Sequence, residues 1–161
     1  MRNSMKIVLI VIGKTDEEYL ISGIKKYAGR IGHYASFEMK ELPDPRNRKT
    51  LSEEQQKKAE SFLLLQQLQP GDQVVLLDEN GKQHSSVQFA ENLEKQMASG
   101  IKRLVFVIGG PYGFAQEVYD RANAKLSLSP MTFSHQMVRL IFVEQLYRAF
   151  TILKGEPYHH Q

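Results

Sequence analysis

The sequence predicts an α/β domain built on a mostly parallel sheet with helices on both faces. Three observations carry that reading. Short runs rich in Val, Ile and Leu at Lys6–Ile12, 74–77 and 104–108 are apolar without alternation, as strands buried on both faces are. Segments with helical spacing separate them, so strand and helix alternate along the chain. The 161 residues are 42% hydrophobic and 24% charged, a globular balance at a length that suits one domain. Residues 1–161 are therefore read as a single domain. Residues 1–4 are readable as an extension, because Met5-Lys6 makes an equally good start.

Each element follows in order. Thr15-x-x-Glu18 has the pattern of a capping box and opens a helix expected to run to about Arg30. Tyr19, Leu20, Ile24, Tyr27 and Ile31 recur at helical spacing, and Gly29 and Gly32 are expected to stop the helix. Residues 35–42 alternate Phe37 and Met39 with Glu38 and Lys40, the mark of a half-exposed strand, which Pro43-Asp44-Pro45 ends. A Pro-flanked loop then carries Arg46, Arg48 and Lys49, and a polar helix is expected from about Leu51 to Gln69, ended by Pro70-Gly71. The turn signal Asn80-Gly81 closes the strand at 74–77, and Ser85 or Ser86 can cap a helix to about Ser99. The strand at 104–108 breaks at Gly109-Gly110-Pro111-Tyr112-Gly113-Phe114. A helix over roughly 115–123, a last short strand at 125–128, a helix from about Gln136 to Leu153 and a tail at 155–161 complete the chain.

Composition excludes several classes. The absence of cysteine rules out a disulfide framework, thiolate metal sites and a cysteine nucleophile, and fits a reducing cytoplasm. The apolar run at 7–12 is too short for a signal-peptide core or a membrane span. A net charge of +3 permits nucleic-acid binding without requiring it. Neither a dinucleotide fingerprint, a P-loop, a G-x-S-x-G elbow nor an H-E-x-x-H motif is present. The adjacent His159 and His160 lack a carboxylate cluster at ligand spacing, so no metal is expected.

In sheets of this kind ligands bind at the carboxyl ends of strands. Here those ends are Leu77-Asp78, Gly109-Gly110 and Leu128-Ser129. The glycine pair lets backbone approach a ligand, though alone it reads first as a tight strand-to-helix turn. The loop Ser127-Leu128-Ser129-Pro130-Met131-Thr132-Phe133 mixes hydroxyls, free backbone groups and apolar side chains, which would suit an adenine and a thioether. Its composition alone equally describes an ordinary proline-containing loop. His135 and Arg139 are four apart and share a helical face, and a lone histidine at a helix start is ordinarily structural. Glu144 and Arg148, also four apart, can simply pair. The tail Glu156-Pro157-Tyr158-His159-His160-Gln161 ends the chain on rings that a nucleobase could stack on, where most chains fray. The final helix is apolar nearly all round and must be covered on more than one side, either by a symmetric partner subunit or as a central helix of the monomer core.

A set of stretches in fixed order adds a second line. They are residues 6–13; Val74-Val75-Leu76-Leu77-Asp78 with Gly81-Lys82; Phe106-Val107-Ile108-Gly109-Gly110; Leu126 through Arg139; Glu144-Gln145-Leu146-Tyr147-Arg148-Ala149; and Pro157-Tyr158-His159. Together they resemble the SPOUT superfamily of methyltransferases and, within it, the RlmH type, which acts on pseudouridine in large-subunit (23S) ribosomal RNA. Pro111-Tyr112-Gly113 falls where members vary, and Ser134 stands where proline is commoner.

The resemblance implies a deep trefoil knot at the carboxyl end of the sheet, against the general avoidance of knots. It implies S-adenosylmethionine held by Leu77, Gly109 and the loop Leu128, Ser129, Pro130, Met131, Thr132 and Phe133. It also implies a homodimer with the last helix at its interface, and methyl transfer to ring nitrogen 3 of the pseudouridine. That nitrogen is an imide N–H, so His135 or His159 is expected to take the proton, Arg139 to stabilise charge on the flanking carbonyls, and Tyr158 to position the base. Arg46, Arg48, Lys49, Lys102 and Arg103 are the expected phosphate contacts. Two rivals stand beside this reading: a non-catalytic ribosome-associated factor with the same fold, and a flavodoxin- or Rossmann-type nucleotide-binding protein.

Overall fold

A computed structural model describes residues 4–160, so most of the extension expected at 1–4, and Gln161, lie outside the described residues. The elements run β1 (Lys6–Ile12), α1 (Glu18–Ile31), β2 (Ser36–Leu42), α2 (Glu53–Gln66), β3 (Gln73–Gln83), α3 (Ser86–Ala98), β4 (Arg103–Ile108), α4 (Gln116–Arg121), β5 (Ala124–Ser127) and α5 (Met137–Leu153). The five strands form one sheet in the order β2-β1-β4-β3-β5, with every pairing parallel.

The unbroken apolar runs are explained by two cores, one on each face. Ile7, Leu9 and Val11 of β1 point with Leu104, Phe106 and Ile108 of β4 toward α1, α3 and α5. Val8, Ile10 and Ile12 point with Val105 and Val107 to the other face, against Leu64 of α2 and Val118 of α4. Successive strand residues face opposite sides, so a strand covered on both must be apolar at every position.

Local chemistry sets two of the five α-helix starts among the described residues. Ser52 and Ser85 each cap a helix and form a reciprocal box with Gln55 and Gln88. The box expected at Thr15 does not form. Glu17 occupies the N-cap of α1 without a side-chain bond, and the Thr15 hydroxyl donates instead to Glu41 at 2.7 Å. The helix also passes through Gly29 and ends at Ile31, with Gly32 as its cap.

α5 lies between α1 and α3 on one sheet face. Phe142, Val143, Leu146, Ala149 and Phe150 are buried within the chain, so most of the helix is covered without a partner. Met137, Ile141 and Ile152 recur along one stripe and are half-buried. The tail does not fray: Glu156 N–H donates to Thr151 O at 2.9 Å, and Tyr34 donates to the Glu156 carboxylate at 2.7 Å.

The largest departure from expectation is β3. Asn80-Gly81 does not close it; the strand continues to Gln83 and bends around β5. Leu126 registers with Leu77 on one stretch and with Lys82 on the other, so the end of β5 pairs with both stretches of β3. A Cβ on Gly81 would sit 2.7 Å from the backbone of Lys125 and Leu126, closer than real side chains approach. Gly81→Ala should therefore cost about 2 kcal/mol of stability, read as a lower urea midpoint at unchanged slope. An unaltered midpoint would mean that the two backbones can separate there.

Candidate active site

The curl of β3 brings three turns together at the carboxyl end of the sheet. Residues from the bend within β3 and from the turns after β4 and β5 line one cleft of about 480 Å³. Leu77, Gly109, Leu128, Ser129, Met131, Thr132 and Phe133 all line it, as does His135 at the start of α5. Pro130, in the same loop, does not line it. Ile108, Leu126 and Val138 complete apolar walls, and Asp78, Glu79 and Asn80 supply a polar rim.

The third turn is held by its own hydroxyls. Ser127 Oγ donates to the Ser129 carbonyl at 3.1 Å, and Ser129 Oγ accepts from Met131 N at 2.9 Å. These bonds leave the Met131 side chain 75% exposed at the mouth of the cleft.

The glycine turn rests on a buried acid. A Cβ on Gly110 would meet both Glu60 carboxylate oxygens at 2.5 Å, so a side chain there would require the Glu60 carboxylate of α2 to move. Glu60 is 1% exposed. Gln56 donates to its Oε2 at 3.2 Å, and its Oε1 has no partner. Burial is the main force raising its pKa, reinforced by Asp44 and opposed by the Gln56 bond and by Arg48. Nearby, Ser61 Oγ accepts from Ala115 N at 3.0 Å and ties α2 to the end of the same turn.

Asp78 is the polar centre of the first turn. Its Oδ2 accepts from Tyr119 Oη at 2.6 Å and its Oδ1 from Asn80 N at 2.8 Å. Burial, then the bond and charge of Asp78, push the Tyr119 phenol up to about 12, so it keeps its proton. The sequence places Asp78 at a ligand-binding strand end without giving it a role, and does not point to Tyr119. Tyr119 arrives only through the packing of α4.

Arg139 requires a correction. It is 1% exposed and its guanidinium is fully engaged inside the chain. It donates to Ile12 O at 2.6 Å, Gly13 O at 2.9 Å, Thr15 Oγ1 at 3.0 Å and His135 O at 3.2 Å. Glu41 lies 3.7 Å away. Burial pulls its pKa down, while Glu41, Asp16 and Asp44 hold it up. A group so committed does not line the cleft; it ties the start of α5 to the end of β1. Gln136 extends that tie, accepting from Asp16 N and donating to Lys14 O.

Tyr158 and His159 do not line the cleft of their own chain. Tyr158 donates to Glu144 at 2.9 Å and packs edge-on against Tyr147. Its phenol is raised by burial first, then by its bonds to Tyr27 and Glu144. Arg148 donates to His159 Nδ1 at 3.0 Å. A guanidinium has no acceptor, so Nδ1 must carry the lone pair and neutral His159 bears its proton on Nε2.

The basic residues divide. Arg46, Arg48 and Lys49 are exposed on the loop after β2, at the same end of the sheet as the cleft, with Arg48 3.3 Å from Asp44. Arg103 begins β4 at the opposite end and is consumed by Asp72 at 3.0 Å and by Gln67 O. It is withdrawn as a phosphate contact, and neighbouring Lys102 shares its distance from the cleft.

Comparison with known proteins adds a separate line. The family described as "Predicted SPOUT methyltransferase" matches residues 5–159. A relative from Parabacteroides distasonis is 60% identical over 98% of this chain and the whole of its own length, and bears the name ribosomal RNA large subunit methyltransferase H. Relatives of the same name from Christiangramia forsetii and Bacteroides fragilis are 60% and 57% identical over the same spans. Among solved structures, a probable methyltransferase from Bordetella pertussis superposes with a TM-score of 0.56 at 10% identity, over 91% of this chain and 95% of that one. That likeness supports the fold.

Glu60 yields a test of the cradle. Its folded pKa lies above the ordinary carboxylate value of 4.5. Its contribution is therefore fully present below that value and is lost as pH rises through the folded pKa. Glu60→Gln, of equal shape and permanently neutral, should match the parent in stability at about pH 4 and exceed it at about pH 8. Parallel denaturation midpoints across that window would contradict a buried, unpaired acid.

Proposed function

The chain belongs to the SPOUT methyltransferase family, and on that premise we propose that it moves a methyl group from S-adenosylmethionine to ring nitrogen 3 of a pseudouridine in large-subunit ribosomal RNA. The name shared by its full-length relatives supports the RNA substrate. The convergence of three strand-end turns on one cleft is the observation that carries the donor. The cleft fits such a ligand: its volume is within the range of small-molecule pockets, Leu77, Ile108, Leu128 and Phe133 give apolar walls, and Gly109 and Gly110 line it. Neither a flavodoxin-type protein nor a ribosome-bound factor without catalysis accounts for membership of a methyltransferase family.

We read the double pairing of β5 with β3 as part of a trefoil knot. In this account the knot's function is to hold the three turns rigidly, so that the cleft is formed before the donor arrives.

The bound donor would supply an electrophilic methyl on a sulfonium. What the protein must do is align the base, remove its imide proton and exclude water. His135 borders the cleft and is the nearer group for the proton. His159, with its proton on Nε2, is suited to donate a hydrogen bond to a carbonyl oxygen as charge gathers there. Tyr158, held protonated, would orient the base. Arg139 supports this arrangement indirectly, by fixing the backbone of His135.

The tail lies away from its own cleft, so its participation requires a second copy. We propose a symmetric homodimer in which the half-buried stripe of α5, Met137, Ile141 and Ile152, meets its equivalent and one protomer's tail serves the other's cleft. Arg46, Arg48 and Lys49 would meet RNA phosphates. The work is assigned to the cytoplasm, and no helix among the described residues is long and apolar enough to cross a membrane.

Mass mapping of large-subunit ribosomal RNA from cells lacking the protein, with and without complementation, tests the substrate. The methyl mark should vanish and return. With purified protein, His135→Ala and His159→Ala should each slow methyl transfer on the order of 100-fold and leave donor affinity nearly unchanged. Equal loss of transfer and of donor binding would contradict both roles.

A further inference from the structure

Asp78 is a half-buried carboxylate on the polar rim of the cleft, and among the described residues no cationic side chain forms an ion pair with it. Its two hydrogen bonds come from neutral donors, Tyr119 Oη and the Asn80 amide. They fix the carboxylate without cancelling its charge. The Tyr119 ring is itself held edge-on by Phe114 at 5.7 Å between centroids, so the pair stands on α4 and the glycine turn rather than on a loose rotamer. Of the ionisable side chains bordering the cleft, Asp78 and Glu79 are acidic and His135 is the basic one. Lys125 is not among the residues lining this cleft; its ammonium sits 5.7 Å from the Tyr119 ring centroid, in an adjoining groove that Asp78 and Tyr119 also border, and it forms no ion pair with Asp78.

A cleft with this balance favours a ligand that carries positive charge. We propose that Asp78, oriented by Tyr119, is the charge-selecting group of the site: it holds the cationic sulfonium donor in preference to the thioether product, which has lost that charge. The inference rests on the donor reading above and goes beyond it by assigning a residue to selectivity. When the methyl leaves, it moves from sulfur to the ring nitrogen, the C–S electron pair stays on sulfur as a neutral thioether, and the imide proton goes to the base. The reaction thus removes the charge that Asp78 attracts, so the spent cofactor is held less firmly and leaves.

The same logic separates binding from chemistry. An attraction strongest before reaction lowers KM for the donor but does nothing for the barrier. Losing it should raise KM for the donor and leave kcat unchanged or slightly higher. Tyr119 is a positioning residue in this scheme, acting only through Asp78.

Calorimetry on the full-length protein tests the proposal with three probes: S-adenosylmethionine, S-adenosylhomocysteine, and sinefungin, whose amine restores a positive charge near the sulfur position. The parent protein should bind both cations about tenfold more tightly than the homocysteine form. Asp78→Asn should remove most of that ratio and change affinity for the neutral sulfur compound less than about twofold, while Asp78→Glu should keep the ratio. Tyr119→Phe should reduce it partly. Because a cleft variant can misfold, the parent itself offers a second readout. Its ratio should shrink as salt rises from about 0.01 M to 1 M, across which screening shortens from about 30 to 3 Å. Equal weakening of all three ligands in Asp78→Asn, or a ratio insensitive to both salt and substitution, would overturn charge selection. A parent that binds none of the three would instead overturn the donor reading itself.

Discussion

The double pairing of β5 with β3, on either side of the irregular stretch between Leu77 and Lys82, is the constraint on which the site depends. Ordinary parallel strands end in independent turns, and nothing obliges three of them to meet. Here residues 78–83 close over Lys125 and Leu126 with no room for a side chain at Gly81. The bend within β3 and the turn after β5 are thereby clamped together, and β4, hydrogen-bonded between β1 and β3, brings the glycine turn beside them. The cleft is a consequence of chain topology, and its lining residues are drawn from segments up to 61 residues apart, from Leu77 to Val138.

Two buried charged groups then fasten the cleft to the rest of the molecule. Arg139 joins the carboxyl end of β1 to the start of α5 and satisfies carbonyls of Ile12 and Gly13 that the sheet leaves open. Glu60 supports the glycine turn from the opposite face, through α2. A buried ionic group is costly unless its bonds are satisfied. Arg139 is fully satisfied, and Glu60 is relieved by its tendency to stay protonated. The two devices act on different turns and from different sides of the sheet, so together they limit how far either turn can move.

Much of the fold was legible in the sequence because burial on both faces leaves a strong trace. The apolar runs of β1, β3 and β4, the capping residues Ser52 and Ser85, and the strand-end glycines all announce themselves locally. The misreadings have one cause: local pattern was overridden by a distant partner. Thr15 looked like a capping residue and was taken by Glu41 and Arg139, across 26 and 124 residues of sequence. Asn80-Gly81 looked like a turn that closes the strand because the real reason for glycine, the backbone of Leu126, lies far along the chain. Arg139 looked available for chemistry because helical spacing records which face a residue occupies but not what that face meets. At the site, the strand-end residues were found from topology. Asp78 was given no role beside Leu77, and Tyr119 and Glu60 were invisible because they come from helices whose packing no periodicity specifies.

The central claim is that the three strand-end turns form one preformed pocket for a nucleoside-bearing methyl donor. Amide hydrogen exchange with and without S-adenosylmethionine tests it most directly. The account predicts slowed exchange confined to 77–81, 109–114 and 127–135, with the sheet unaffected, as well as a second groove of the chain, lined by Lys14, Lys25, Met39 and Glu41. Protection centred on that groove, or spread evenly over the chain with none of the three turns distinguished, would contradict it.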